Sequence, residues 1–300
     1  MRLMQYVDHI QQNFIRPGSA VIQVKEAPAF AIVDGQFNFG QVTAMRGLEI
    51  AKQKAQVAGN ATVFLRNCNH VGRLGSYSHQ AATAGFASMM VVNAPGPGGV
   101  APFGGIDQRL GTNPISISAP CGDDALVLDM TTSATAEGKV RVAHQKGAPI
   151  PSGLLIDSSG NPSTDPADLY ADPPGAILPL GGPLGFKGSG LSMMIDVFGG
   201  ILSGSGVCRT DLPRGANGVW MYLVDVSHFV EKDVYDSLME KYVTHIKSSR
   251  RIPGVEEILL PGEIERRRAS VRQTEGVEIP PETWRQITEL ATRLGVTLTP

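Results

Sequence analysis

Cysteine is scarce: the chain has three, Cys68, Cys121 and Cys208, in 300 residues. The number is odd, the spacings are long and no Cys-x-x-Cys pair occurs. Neither a disulfide framework nor a zinc site is expected, and a reducing compartment suits the chain. An excess of one charge is lacking too. Lys and Arg total 26 against 28 Asp and Glu, a formal net charge of −2. That removes bulk electrostatic attraction to nucleic acid or to an anionic membrane. The longest apolar stretch, 191–202, contains Asp196 and is broken by serine and glycine, so it does not read as a membrane span. Met1-Arg2 runs into a mixed segment with no secretory pattern, and a cytoplasmic protein is expected.

Two nucleotide-binding signatures are also missing. No Gly-x-Gly-x-x-Gly follows a strand, and no Gly-x-x-x-x-Gly-Lys-[Ser/Thr] occurs. The glycine-rich stretch 96–105 is interrupted by prolines, which have no N–H to offer a pyrophosphate. A Rossmann fold is therefore excluded.

What is present is a 42% hydrophobic composition, with 35 glycines and 21 prolines. That is enough apolar side chain for one large domain or two intertwined ones. Glycine and proline concentrate at 95–105 and 173–190, marking loops of the kind that carry ligands. Short strands alternate with helices, an α/β pattern. Strands are expected at 29–33, 61–65, 87–92, 115–118, 125–128 and 219–226. Helices are expected at 41–58, 76–84, 135–144, 188–203, 231–249, 262–273 and 282–294, the last opened by Pro280-Pro281. The organisation predicted is a central cofactor-binding sheet region, 26–189, and a mainly helical region made from both chain ends, 1–25 with 190–300.

His70 follows a predicted strand and precedes a predicted helix, in Asn67-Cys68-Asn69-His70-Val71-Gly72-Arg73. The carboxyl end of a strand is where α/β proteins collect ligands, and imidazole exchanges protons near neutral pH. A loop histidine that only satisfies backbone groups is the plainer reading. A Cys68–His70 nucleophile pair lacks any accompanying hydrolase motif and is set aside. Thr112, Asn113, Thr131, Thr132 and Ser133 cluster compact hydrogen-bonding side chains at strand ends. Lys139 is either a solvated helix lysine or a point charge aimed at a substrate oxygen. Lys187 lies among glycines just before a helix. That suits a phosphate at the helix start or merely a tight turn. The run Arg266-Arg267-Arg268 is a solvated face or a set of forks for an adenosine 2′-phosphate.

Together the segments Val33-Asp34-Gly35, 67–77, 101–114, 128–140, 150–166, 178–191 and 260–263 resemble the malate/L-lactate/sulfolactate/ureidoglycolate dehydrogenase family, which also contains cyclic-imine reductases. They keep the family's order and cover most of the chain. The resemblance implies a non-Rossmann α/β fold with a mixed cofactor-binding sheet, and a homodimer. It implies NAD or NADP as cofactor and a small 2-hydroxy or 2-oxo acid as substrate. His70 and Lys139 are implied as catalytic, and Arg2 and Thr112 as substrate-binding. His70, Gly72, Asp129, Met130, Thr131, Phe186, Lys187, Pro261, Gly262, Glu263 and Arg266 are implied to line the cofactor.

Two departures stand out. Relatives carry Ser-His-Gly shortly before an Arg-Leu-Pro-x-Tyr pattern. Here Arg2-Leu3-Met4-Gln5-Tyr6 matches that pattern and the Ser-His-Gly is not in this sequence, which leaves Arg2 expected on a frayed terminus. Phe186 stands where many relatives have histidine. An active dehydrogenase and a cofactor-binding protein with little turnover both remain open. Within the family, cyclic-imine reduction is the alternative, and Lys139 argues against it because a lysine repels a protonated imine.

Overall fold

The computed structural model describes residues 2–209 and 216–298. Its centre is a seven-stranded mixed sheet. The strands are β1 (Ile22–Ala27), β2 (Phe30–Asp34), β3 (Asn60–Cys68), β4 (Phe86–Asn93), β5 (Ile115–Cys121), β6 (Asp124–Met130) and β10 (Asn217–Asp225), in the order β1-β2-β3-β10-β4-β5-β6. Only β2 and β3 pair in parallel, joined by helix α2 (Gly40–Ala58); every other pairing in this sheet is antiparallel. The expected non-Rossmann mixed sheet is thus present.

Strand periodicity explains the layering. Val219, Met221 and Leu223 of β10 and Ala61, Val63 and Leu65 of β3 point to one face and are fully buried. They pack under α2 and α3 (Gly75–Thr83). The alternate residues, Trp220 of β10 with Met89 and Val91 of β4, join Ile195 and Phe198 on the other face. That is the period of two that a strand imposes. On its sheet face α2 carries Leu48 among Ala44, Gly47, Ala51 and Ala55, four small residues that let it lie close. A Cβ on Gly47 would come within 2.6 Å of Leu65. Gly59 ends the helix in the left-handed conformation.

A second apolar cluster, with Val100, Leu110, Val140, Ile150, Leu155 and Ile177, lies under α4 (Glu137–Lys146) and a three-stranded antiparallel sheet of β7 (Leu155–Ile156), β8 (Pro162–Ser163) and β9 (Ala176–Ile177). The chain ends supply α1 (Leu3–Gln11), α6 (Lys232–Lys247), α7 (Glu263–Glu275) and α8 (Pro281–Leu294). Helix α1 packs on α8, where Arg293 reaches Asp8 at 3.4 Å. Among the described residues no helix is long and apolar enough to cross a membrane.

Three elements differ from expectation. The helix expected over 188–203 is α5 (Phe186–Ile195) followed by a wider π-helical turn, Asp196–Ile201. There Gly199 and Gly200 press against Asn93 and Gly206, and a Cβ on Gly200 would meet Gly206 O at 2.2 Å. The helix expected from 135 starts at Glu137, with Ala136 still extended. The strand expected near 219 is the middle strand of the sheet, between β3 and β4. Sheet membership therefore does not follow the 26–189 division.

Candidate active site

The His70 loop leaves β3 at Cys68 and is clamped onto the start of α2. The Asn69 side chain donates to Phe14 O, Phe37 O and Asn38 O at 3.1, 2.8 and 3.0 Å. Gly40, the first residue of α2, lies so close that a Cβ there would sit 2.0 Å from Asn69 O and 2.4 Å from His70 O. Only glycine allows this approach. Half-buried His70 shares a 2.7 Å hydrogen bond between Nδ1 and the Tyr6 hydroxyl, which in turn accepts from Gln41 Nε2 at 2.9 Å. Arg2 lies four residues before Tyr6, one turn away on the same side of α1. It is half-buried rather than frayed and donates to Gln5 at 3.3 Å. Gly72 takes a left-handed φ of 81° beside Gln41. The Cys68 thiol is wholly buried, and burial pushes its pKa up to about 12. A thiolate nucleophile is thereby excluded.

At the end of β6, Asp129 Oδ2 accepts from the Gly75 N–H at the start of α3, 2.9 Å away, and faces Arg73 Nε at 3.5 Å. Burial raises the Asp129 pKa, and the Gly75 hydrogen bond and Arg73 offset only part of that. Met130 packs against the Ile195 cluster, and Thr131 Oγ1 donates to Ser133 O at 3.2 Å. Thr132 donates through N and Oγ1 to Thr112 O and through Oγ1 to Asn113 O. Asn113, with a left-handed φ of 33°, donates to Ser192 O and Oγ on α5. Leu180 N donates to Thr132 O, and Phe103 N to Ser189 Oγ. Four separate sequence segments, around 70–75, 103–113, 129–133 and 180–192, are thus stitched together.

Lys187 and Phe186 open α5, whose N-terminus has no side-chain cap. Both are exposed. Phe186 meets the exposed ring of Phe103 edge-on at 6.0 Å, and Lys187 has no ion pair among the described residues. Lys139 is exposed on α4 and makes no ion pair or side-chain hydrogen bond to His70 or Thr112. Pro261, Gly262, Glu263 and Arg266 lie along β6, against Asp124, Ala125 and Val127. Pro261 O accepts from Val127 N, and Gly262 turns into α7 at φ 94°. Glu263 is bound to Lys247 at 2.6 Å and to Leu260 N at 2.9 Å, and the lysine holds its pKa below the ordinary carboxylate value. Arg266 grips Asp124 and Ala125 O, both at 2.9 Å, and Arg267 pairs with Glu257.

Sequence reasoning missed Gln41 and the part played by Tyr6. It also passed over Asp196, buried behind Asn113 and bonded to Asn93 at 3.1 Å. A carboxylate inside the most apolar stretch of the chain was the available signal.

This fold is shared with known enzymes. The sequence pattern of the malate/L-lactate dehydrogenase family matches residues 1–288. The malate dehydrogenase of Pyrococcus horikoshii is 36% identical over 303 residues, covering 98% of this chain and 83% of that protein. The L-sulfolactate dehydrogenase of Methanocaldococcus jannaschii is 35% identical over 302 residues, covering 99% and 85%. The solved structure of the Pyrococcus horikoshii malate dehydrogenase superposes with a TM-score of 0.87 over 99% of this chain and 83% of that one, at 32% identity. The chain belongs to the malate/L-lactate dehydrogenase family.

Proposed function

We propose that the protein is an NAD(P)-dependent dehydrogenase that interconverts a small 2-hydroxy acid and the corresponding 2-oxo acid. The observation that carries the reading is the Gln41–Tyr6–His70 chain at a strand end, a proton-exchanging ring held by a hydroxyl; Arg2, four residues before Tyr6, is the guanidinium in this segment suited to a carboxylate. Relatives named malate, L-lactate, L-sulfolactate and hydroxycarboxylate dehydrogenase support the same substrate class.

A nicotinamide dinucleotide supplies or accepts the hydride when bound. The residues at the start of α5 fit such a group: an uncapped helix terminus and the exposed Lys187 suit phosphate, and the exposed Phe103–Phe186 pair suits a ring. Asp129, Met130 and Thr131 would line it at one end of β6, beside His70 and Gly72. Pro261, Gly262, Glu263 and Arg266 would line it at the other end. Because Glu263 and Arg266 are already paired, their role in this reading is to hold the Pro261–Gly262 backbone in place. In the reducing direction His70, as imidazolium, gives its proton to the oxygen formed at the substrate carbonyl. Arg2 pairs with the substrate carboxylate, Thr112 hydrogen-bonds to it, and Lys139 adds positive charge. That charge favours an oxo acid over a protonated imine.

The reading includes a homodimer in the cytoplasm. It is supported by the low count of three cysteines, with no Cys-x-x-Cys spacing, and by the exposed apolar side chains Met193, Met194, Ile201 and Leu202. The test follows reduced-nicotinamide absorbance with NADH or NADPH and a panel of 2-oxo acids. Oxidation with a 2-oxo acid is expected, and His70→Ala should lower turnover by about 10²–10⁴. Full turnover in His70→Ala with cofactor binding intact would remove His70 from the mechanism.

A further inference from the structure

The three-residue chain Gln41–Tyr6–His70 has a direction. The amide nitrogen of Gln41 only donates, so at 2.9 Å the Tyr6 oxygen is its acceptor. A phenol has one hydrogen, and the Tyr6 hydroxyl has a second partner, His70 Nδ1, at 2.7 Å. With that hydrogen directed at His70, Tyr6 donates and Nδ1 accepts with a lone pair, the one arrangement in which the Tyr6 hydrogen is used within the trio. A neutral imidazole carries one hydrogen in all, which then belongs to Nε2.

We propose that Gln41 and Tyr6 are positioning residues that hold neutral His70 in the Nε2–H tautomer. The inference rests on the proposed role of His70 only for its consequence. In this tautomer the ring meets a substrate oxygen as a hydrogen-bond donor, which suits the carbonyl of a 2-oxo acid. Removing a proton from a 2-hydroxy acid would require a bare Nε2. The imidazolium needs no different scaffold: both nitrogens then carry hydrogen, Tyr6 accepts from Nδ1 as well as from Gln41, and its own hydrogen rotates away. The anchoring is rigid on both sides. Gln41 sits in the first turn of α2, and the His70 backbone is pressed against Gly40 of that same turn.

The experiment is long-range ¹H–¹⁵N correlation spectroscopy of the full chain labelled at histidine, at a pH where the ring is neutral. No substrate or cofactor is added, so the outcome is independent of any turnover assay. The chain has six histidines; His70 is assigned by the signal missing in His70→Gln, and the other five report that each variant is folded. A protonated-type Nε2 with an unprotonated-type Nδ1 is expected in the wild type. Gln41→Glu places an acceptor where the donor was. It should take the Tyr6 hydrogen and exchange the two signal types, whereas Gln41→Lys, which keeps a donor, should retain the wild-type pattern. Protonated-type Nδ1 in the wild type, or an unchanged pattern in folded Gln41→Glu, overturns the proposal.

Discussion

Replacing Gly40 by alanine tests the most constrained contact around His70. The added Cβ would lie 2.0 Å from Asn69 O, 2.4 Å from His70 O and 2.5 Å from Asn69 C. All three are backbone atoms, so no side-chain rotation relieves the clash. The loop has to retreat by about 1 Å merely to reach the shortest separation that packed carbon and oxygen tolerate. That retreat strains the three Asn69 hydrogen bonds and the His70–Tyr6 bond. Overpacking costs about 1–3 kcal/mol, and each weakened hydrogen bond adds about 0.5–1.5 kcal/mol. Better helix propensity returns at most about 1 kcal/mol. A net loss of about 2–8 kcal/mol is expected in urea unfolding, together with a fall in turnover of about 10²-fold, the scale of a 1 Å misplacement. Gly138→Ala is the control, because nothing lies within 4 Å of its added Cβ on α4. It should be neutral or stabilise by up to about 1 kcal/mol. A Gly40→Ala protein with wild-type stability and turnover would refute the account of how the loop is seated.

Burial raises the Asp196 pKa, against the pull of hydrogen bonds from Asn93 and Asn113. The folded state therefore holds that proton to higher pH than the unfolded chain does. Stability must fall as pH rises from the ordinary aspartate range through the raised value, and the deficit persists above it. Asp196→Asn keeps an acceptor for Asn93 and brings N–H donors beside Asn113, whose buried Oδ1 has no partner among the described residues. Its melting temperature at neutral pH should match or exceed the wild type with a flatter pH slope, and a lower one with the slope unchanged would contradict this. Asp34 has the opposite sign: burial would raise its pKa, but hydrogen bonds from Gln36, Asn67 and Arg66 outweigh burial and lower it. Its stabilisation is present above the unfolded aspartate pKa and is lost as pH falls through the folded one. Asp34→Asn should thus lose stability at neutral pH and little in acid, as thermal melts at the two pH values would show. Lys187→Ala should weaken NADH and NADPH binding by about 1.5–3 kcal/mol, the value of a charge-assisted contact, or roughly tenfold or more in Kd. Calorimetric titration giving unchanged affinity for both would remove Lys187 from the cofactor site.

Local pattern carried much of the fold. The apolar spacing of α2 and the alternation of β3 and β10 are written in consecutive residues, because helix and strand periods are properties of the backbone itself. The position of His70 at a strand end was legible for the same reason, and the order of short motifs was enough to bring the family into view. Lys139 and Arg266 show the limit of such reading. A sequence records that a side chain is charged, but not whether it is exposed, as Lys139 is, or already held by Asp124, as Arg266 is.

What the sequence by itself determined is the type and approximate place of the longer elements, which faces are apolar, and which chemically apt side chains stand at strand ends. Only the tertiary structure decided that β10 enters between β3 and β4, that α1 brings Tyr6 to His70 across 64 residues, and that Gln41 orients that hydroxyl. The physical reason is that strand pairing and hydrogen bonding between distant segments depend on which surfaces meet once the chain has collapsed. No local period encodes that choice.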